Sequence, residues 1–81
     1  MRVRIRYFAS LREAAGMAEE TLDLPDGVTV GQARALVAER SHALAVALPP
    51  CMAAINQRYV PVDAPLTEND ELVFIPPLGG G

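Results

Sequence analysis

Apolar and polar residues alternate strictly from Arg2 to Tyr7: Val3, Ile5 and Tyr7 fall on one side, Arg2, Arg4 and Arg6 on the other. A half-buried strand requires that period of two, because successive side chains leave opposite faces of the pleat. A strand over 2–8 is therefore predicted. Ser10 stands three residues before Glu13, the spacing of a capping box, and Gly16 supplies a stop, so a short helix over 10–15 is expected. Thr21, Leu22 and Leu24 mark a second strand over 19–24, closed by the turn Pro25-Asp26-Gly27.

The period then lengthens. Thr29 and Gln32 form a second capping box, and Ala33, Leu36 and Val37 recur at helical spacing with Gln32, Arg34, Glu39 and Arg40 opposite. This main helix is expected to end near Ser41-His42, with residues 43–48 adding a turn before Pro49-Pro50 breaks it. A third strand fits Met52–Asn56. A short fourth fits Tyr59–Val62 after a turn at Asn56-Gln57, and Pro61 confines it to a sheet edge. Leu66 is expected to plug the core from a loop. Glu68-Asn69-Asp70 reads as a turn in which Asn69 takes a left-handed conformation. The last strand is 71–75, stopped by Pro76-Pro77 ahead of Leu78-Gly79-Gly80-Gly81.

Strands, a main helix and further strands in this order are an α+β pattern with a helix over one face of a sheet. The other face carries Arg2, Arg4 and Arg6, with Glu19, Glu20, Asp23 and Glu71 available as cross-strand partners. The organisation expected is one domain over 1–75 and an extended C-terminal tail over 76–81.

Composition narrows the function. The 81 residues are 51% hydrophobic, which argues for a folded globule, and the single cysteine excludes an internal disulfide. A net charge of -3 gives no footprint for nucleic acid, and no apolar run approaches the length of a membrane span. The N-terminal stretch lacks the apolar core of a signal peptide, which with the lone thiol leads to an expected cytoplasmic location. All seven basic residues are arginine and lysine is absent, so the side chains offer no amine to an activated carboxyl group.

Catalytic groupings are missing. His42 and Cys51 have no evident partner; His42 is read as a helix-end residue interacting with the dipole, and Cys51 as a packed side chain. No glycine loop is placed to cradle phosphate, and the carboxylates are scattered. The chain does not read as an enzyme by itself, and no metal site is expected. The tail is what remains. Gly79-Gly80-Gly81 reads either as a frayed end or as the tip of an arm. Pro76-Pro77 favour the arm, because prolines hold an extended, polyproline-like path with little entropy left to lose. From Pro76 to Gly81 such an arm reaches on the order of 20 Å. A terminal carboxylate reacts only once activated, for example as an acyl-adenylate made with ATP. Glycines, having no Cβ, can thread a narrow channel toward the enzyme that does this.

The segment Tyr7-Phe8-Ala9-Ser10-Leu11-Arg12-Glu13 followed by Gly16 resembles the N-terminal signature of the small subunits of molybdopterin synthase, the MoaD family. Asn56, Leu66 before Glu68-Asn69-Asp70-Glu71, and the ending Phe74-Ile75-Pro76-Pro77-Leu78-Gly79-Gly80-Gly81 match that family in order and spacing. Asn69 stands where the family usually has glycine, and Gly79 where it often has a small polar residue; the terminal pair Gly80-Gly81 is intact. The resemblance implies a ubiquitin-like β-grasp fold, a mixed sheet of four to five strands packed on one main helix. It implies that Gly81 is adenylated by a ubiquitin-activating-type enzyme that uses ATP and Mg, then converted to a thiocarboxylate with sulfur from a sulfurtransferase donor. No cofactor is expected to be bound by this chain itself. It further implies that the tail enters the large subunit of molybdopterin synthase and gives sulfur to cyclic pyranopterin monophosphate. By position, Phe8, Tyr59 and Ile75 match the family's partner-binding surface, with Pro76, Pro77, Leu78 and Gly79 leading to the reactive end at Gly80 and Gly81. For Phe8 and Ile75 core packing is an equal alternative.

Other assignments stay open at this point: another β-grasp sulfur carrier, of thiamine or cysteine biosynthesis, or a ubiquitin-like protein modifier. Both use the same tail chemistry.

Overall fold

The computed structural model describes residues 1–77. Its elements are β1 (Arg2–Tyr7), α1 (Ser10–Ala15), β2 (Glu19–Asp23), α2 (Val30–Ala38), α3 (His42–Ala47), β3 (Met52–Ile55), β4 (Arg58–Val60) and β5 (Glu71–Ile75). The strands form one sheet in the order β2-β1-β5-β3-β4. β5 lies at its centre, parallel to β1 and antiparallel to β3, with β2 and β4 antiparallel at the edges. Pro61 thus follows an edge strand, where its missing N–H costs no ladder bond.

The alternation of β1 decides which face is covered. Val3, Ile5 and Tyr7, with Leu72 and Phe74 of β5, are almost fully buried against Val30, Ala33 and Val37 of α2, Leu44 of α3 and Leu11 of α1. Leu66 plugs this layer from its loop, as expected. The Thr29 capping box forms: its side chain accepts from the Gln32 N–H, and the Gln32 side chain accepts from the Thr29 N–H. Gly16 caps α1 in the left-handed region at φ 75°, where only glycine is unstrained. Asn56 and Gln57 at φ 49° and 72° make a two-residue turn of the I′ kind, whose twist suits the β3–β4 hairpin. Asn69 takes φ 67°.

Four expectations need correction. Ser10 forms no capping box; it is the first helical residue, and Ala9 caps α1 at φ 50° with no side-chain bond, because the chain turns sharply out of β1 one residue earlier. The apolar stretch 43–48 is not a last turn of the main helix. Ser41 accepts from the Leu44 N–H and starts α3 as a separate helix, so His42 sits at a helix N-terminus, the wrong end for a favourable dipole interaction with a cation. Glu20 does not face the arginines. It lies opposite Ile5 on the helix side, where it accepts from Tyr7 Oη at 2.7 Å and pairs with Arg40 at 2.8 Å. Burial and this carboxylate push the Tyr7 hydroxyl well above its ordinary range.

Leu36 is the fourth. It is 39% exposed, because α2 turns Val30, Ala33 and Val37 inward and leaves Leu36 on the flank beside the Pro25–Val28 turn. Leu36→Ala is therefore expected to cost roughly 1 kcal/mol or less in urea denaturation, far below the loss for a core leucine. A cost in the range of a fully buried leucine would show that the flank is covered.

Candidate functional site

β5 delivers the chain to Pro76 and Pro77 at the edge of the uncovered sheet face. Strand period places alternate residues on that face, and register brings them together. Arg4 lies beside Glu71 and Arg6 beside Val73 across the β1–β5 pair; Val73 meets Ala54, and Ala54 meets Tyr59. Extending β1 by one residue puts Phe8 on the same face, next to Ile75. The outcome is a groove of about 310 Å³ lined by Arg6, Phe8, Ala54, Gln57, Tyr59, Glu71, Val73 and Ile75.

The buried Ala54 and Val73 are its floor. Phe8, 42% exposed, and Tyr59, 66% exposed, belong to its walls, and the half-buried Ile75 closes the end from which the tail departs. The even choice between core and surface for Phe8 thus falls to the surface. Pro76 is half-buried and Pro77 exposed. The expectations for Leu78, Gly79, Gly80 and Gly81 lie outside the described residues.

The other end of the groove is charged. Glu71 is approached by Arg6 at 3.7 Å and Arg4 at 3.8 Å, and Arg6 also reaches Glu19 at 3.9 Å. The Arg6 guanidinium sits 5.6 Å from the centre of the Phe8 ring, within cation–π range. Pairs this long, with arginines this exposed, add little to stability, roughly 0.2–1 kcal/mol each at most, although Glu71 itself is largely buried. They leave the arginines free to re-pair with an incoming surface. An apolar trough with a charged rim has the chemistry of a docking surface, an apolar centre within a polar border.

Cys51 is buried away from this face, its thiol donating to the Ala47 carbonyl at 3.3 Å. Burial pushes that thiol up, away from reactivity, with Arg34 opposing the shift. Among the described residues no group of three or more His, Cys, Asp or Glu is placed to hold a metal ion, and no helix is long and apolar enough to cross a membrane. The sequence reading missed Ala54, Val73, Gln57, Arg6 and Glu71 as groove residues. Arg6 and Glu71 were legible as facing partners, but nothing in the chain marked the two small apolar residues as a floor.

With this geometry in place, likeness to known proteins is informative. The ThiS family pattern matches residues 5–81. The chain is 40% identical over 83 residues to the molybdopterin synthase sulfur carrier subunit of Chlamydomonas reinhardtii, covering 100% of both. It is 39% identical over 83 residues to the subunit of that name from Escherichia coli (strain K12), covering 98% of this chain and 99% of the relative. A solved structure of a putative molybdopterin converting factor, subunit 1, from Pyrococcus furiosus superposes with a TM-score of 0.88 at 28% identity, over 96% of this chain and 99% of that one. The fold is the ubiquitin-like β-grasp. The chain belongs to the ThiS family, among the molybdopterin synthase sulfur carrier subunits.

Proposed function

We propose that this chain carries sulfur for molybdenum cofactor biosynthesis. Gly81 is adenylated by a ubiquitin-activating-type enzyme with ATP and Mg, and a sulfurtransferase donor then replaces the adenylate to leave a thiocarboxylate. The loaded carrier docks on the large subunit of molybdopterin synthase and gives its sulfur to cyclic pyranopterin monophosphate. The observation that carries this reading is the groove at the root of the tail. Phe8, Tyr59 and Ile75, far apart in sequence, line one trough from which Pro76-Pro77 lead away. A partner seated in it fixes where the last glycines can reach.

Each part of the chain has a task in this scheme. The sheet presents the groove. Pro76 and Pro77 restrict the backbone at the root of the tail, so less entropy is lost there when the tip enters an active site. The glycines let that tip pass where side chains would clash. Loss of sulfur leaves an ordinary carboxylate that another round of ATP restores. With no lysine anywhere in the chain, an activated tip cannot be lost to a side-chain amine of another copy.

The test is direct. Incubated with ATP, Mg, an activating enzyme and a sulfur donor, the protein should gain the mass difference between sulfur and oxygen, located at the last residue by fragmentation. The loaded form plus the large subunit should convert cyclic pyranopterin monophosphate, and the unloaded form should not. A protein that never acquires sulfur at that residue would sink the reading.

A further inference from the structure

β4 is the groove's weak wall. It has three residues, pairs among the described residues with β3 alone and carries Tyr59 on a sheet edge. A strand so short at an edge is poorly held by its own ladder. One side chain braces it. The β3–β5 ladder stops at Ile55 opposite Leu72, where the backbone leaves for the hairpin turn. Asn56 continues the pairing beyond that point. Its N–H donates to the Glu71 carbonyl at 2.9 Å, and its Oδ1 accepts from the Glu71 N–H at 3.0 Å, standing in for the carbonyl the turning strand has taken away. Its Nδ2 donates to Asp70 Oδ1 at 2.9 Å. Asp70 is itself fixed, its other oxygen accepting from the Thr67 N–H at 2.8 Å and Thr67 Oγ1 at 3.1 Å.

We propose that Asn56, held by Asp70, is a positioning residue for the docking groove. Its carboxamide locks the β3–β4 turn onto the start of β5 and so sets the gap between Tyr59 and Gln57 on one wall and Glu71 on the other. This rests on the docking role given to the groove above. The chemistry is selective, since the site needs one acceptor toward Glu71 and one donor toward Asp70, and a primary amide supplies both. The position also demands positive φ, at 49°, which asparagine tolerates.

Three variants test it in titrations with the cognate large subunit of molybdopterin synthase, each checked for folding by circular dichroism. Asn56→Gly keeps the turn, because glycine accepts positive φ freely, and removes only the clamp; affinity should fall about tenfold, as for loss of an interface anchor. Asn56→Asp sets two carboxylates against each other and should weaken binding similarly. Combining Asn56→Asp with Asp70→Asn reverses donor and acceptor while preserving net charge, so the clamp re-forms and affinity should return to within about twofold of the parent, the limit expected when the anchors are restored. A purely structural role would not give this recovery in affinity at unchanged helix and sheet content. Tyr59→Ala in the same assay separates the two layers. If Tyr59→Ala leaves affinity unchanged, the groove does not dock this partner and the inference falls with it. If Tyr59→Ala weakens binding while Asn56→Gly does not, or the swapped pair fails to recover, the groove stands and the clamp proposal is overturned.

Discussion

Removing Gly81 abolishes sulfur loading and leaves the thermal transition of the protein where it was. The two halves of this expectation have separate causes. Stability resides in the sheet and the layer beneath α2, and the last ladder partner on β5 is Ile75, opposite Met52. The packing that carries the fold is built from residues up to Ile75, six positions before Gly81. Chemistry depends on where the terminal carbonyl sits. Shortening the chain by one residue withdraws the terminal carbonyl by up to about 3.5 Å, and a misplacement of only about 1 Å can cost on the order of a hundredfold in rate. Since the chain then ends at Gly80, again a glycine, the result separates position from residue type. Intact-mass time courses with ATP, activating enzyme and sulfur donor, beside circular dichroism melts, provide the measurement. A shortened chain that loads at the parental rate would mean that the activating enzyme does not measure the arm.

How much of this was legible beforehand depends on which interactions local sequence encodes. β1 was readable because one face is core and the other solvent, so period two survives in Val3, Ile5 and Tyr7 against Arg2, Arg4 and Arg6. The Thr29–Gln32 box was readable because both partners lie within one turn. The similar Ser10–Glu13 spacing misled, since the bend at Ala9 had already placed Ser10 inside the helix. Leu36 misled for another reason. On a helix, positions 36 and 37 both follow Ala33 at acceptable spacing, and only the roll of α2 on the sheet decides that Val37 goes in. Glu20 was misplaced because the face of β2 is fixed by its pairing with β1 and not by its own pattern.

The groove was the least legible feature. Phe8, Tyr59 and Ile75 were named through resemblance to a family, and their meeting depends on the parallel pairing of β1 with β5 and the antiparallel pairing of β5 with β3 and β3 with β4. Residues 52–55 and 72–75 are apolar on both faces, which erases the alternation that would have separated floor from core. Ala54 and Val73 therefore carry no mark in the sequence that sets them apart from core, and they form the base of the groove. The clamp at Asn56 joins residues 14 and 15 positions apart through a carboxamide, a contact that no periodicity announces.

Phe74→Ala should unfold much of the protein at ordinary temperature. Phe74 is fully buried on the central strand, with Tyr7 beside it on β1 and Ala53 on β3. Replacing a buried phenylalanine by alanine costs about 3–5 kcal/mol, part lost transfer energy and part the cavity left behind. The upper part of that range applies here, because Ala53 is too small to move into the space and Tyr7 is tethered through its hydroxyl to Glu20. Domains of this size stand toward the low end of the usual stability of about 5–15 kcal/mol, so one substitution removes much of what holds the fold. In a thermal melt, a loss that large should lower the midpoint by at least about 12 °C. Sulfur loading should fall in step with the folded fraction and recover at lower temperature, in contrast to the Gly81 deletion, whose loss is complete while the protein remains folded. That contrast places Phe74 in the scaffold and Gly81 in the chemistry. A Phe74→Ala protein melting close to the parent would mean that this ring does not hold the centre of the sheet, and the packing of β5 against α2 would then have to be assigned to its neighbours.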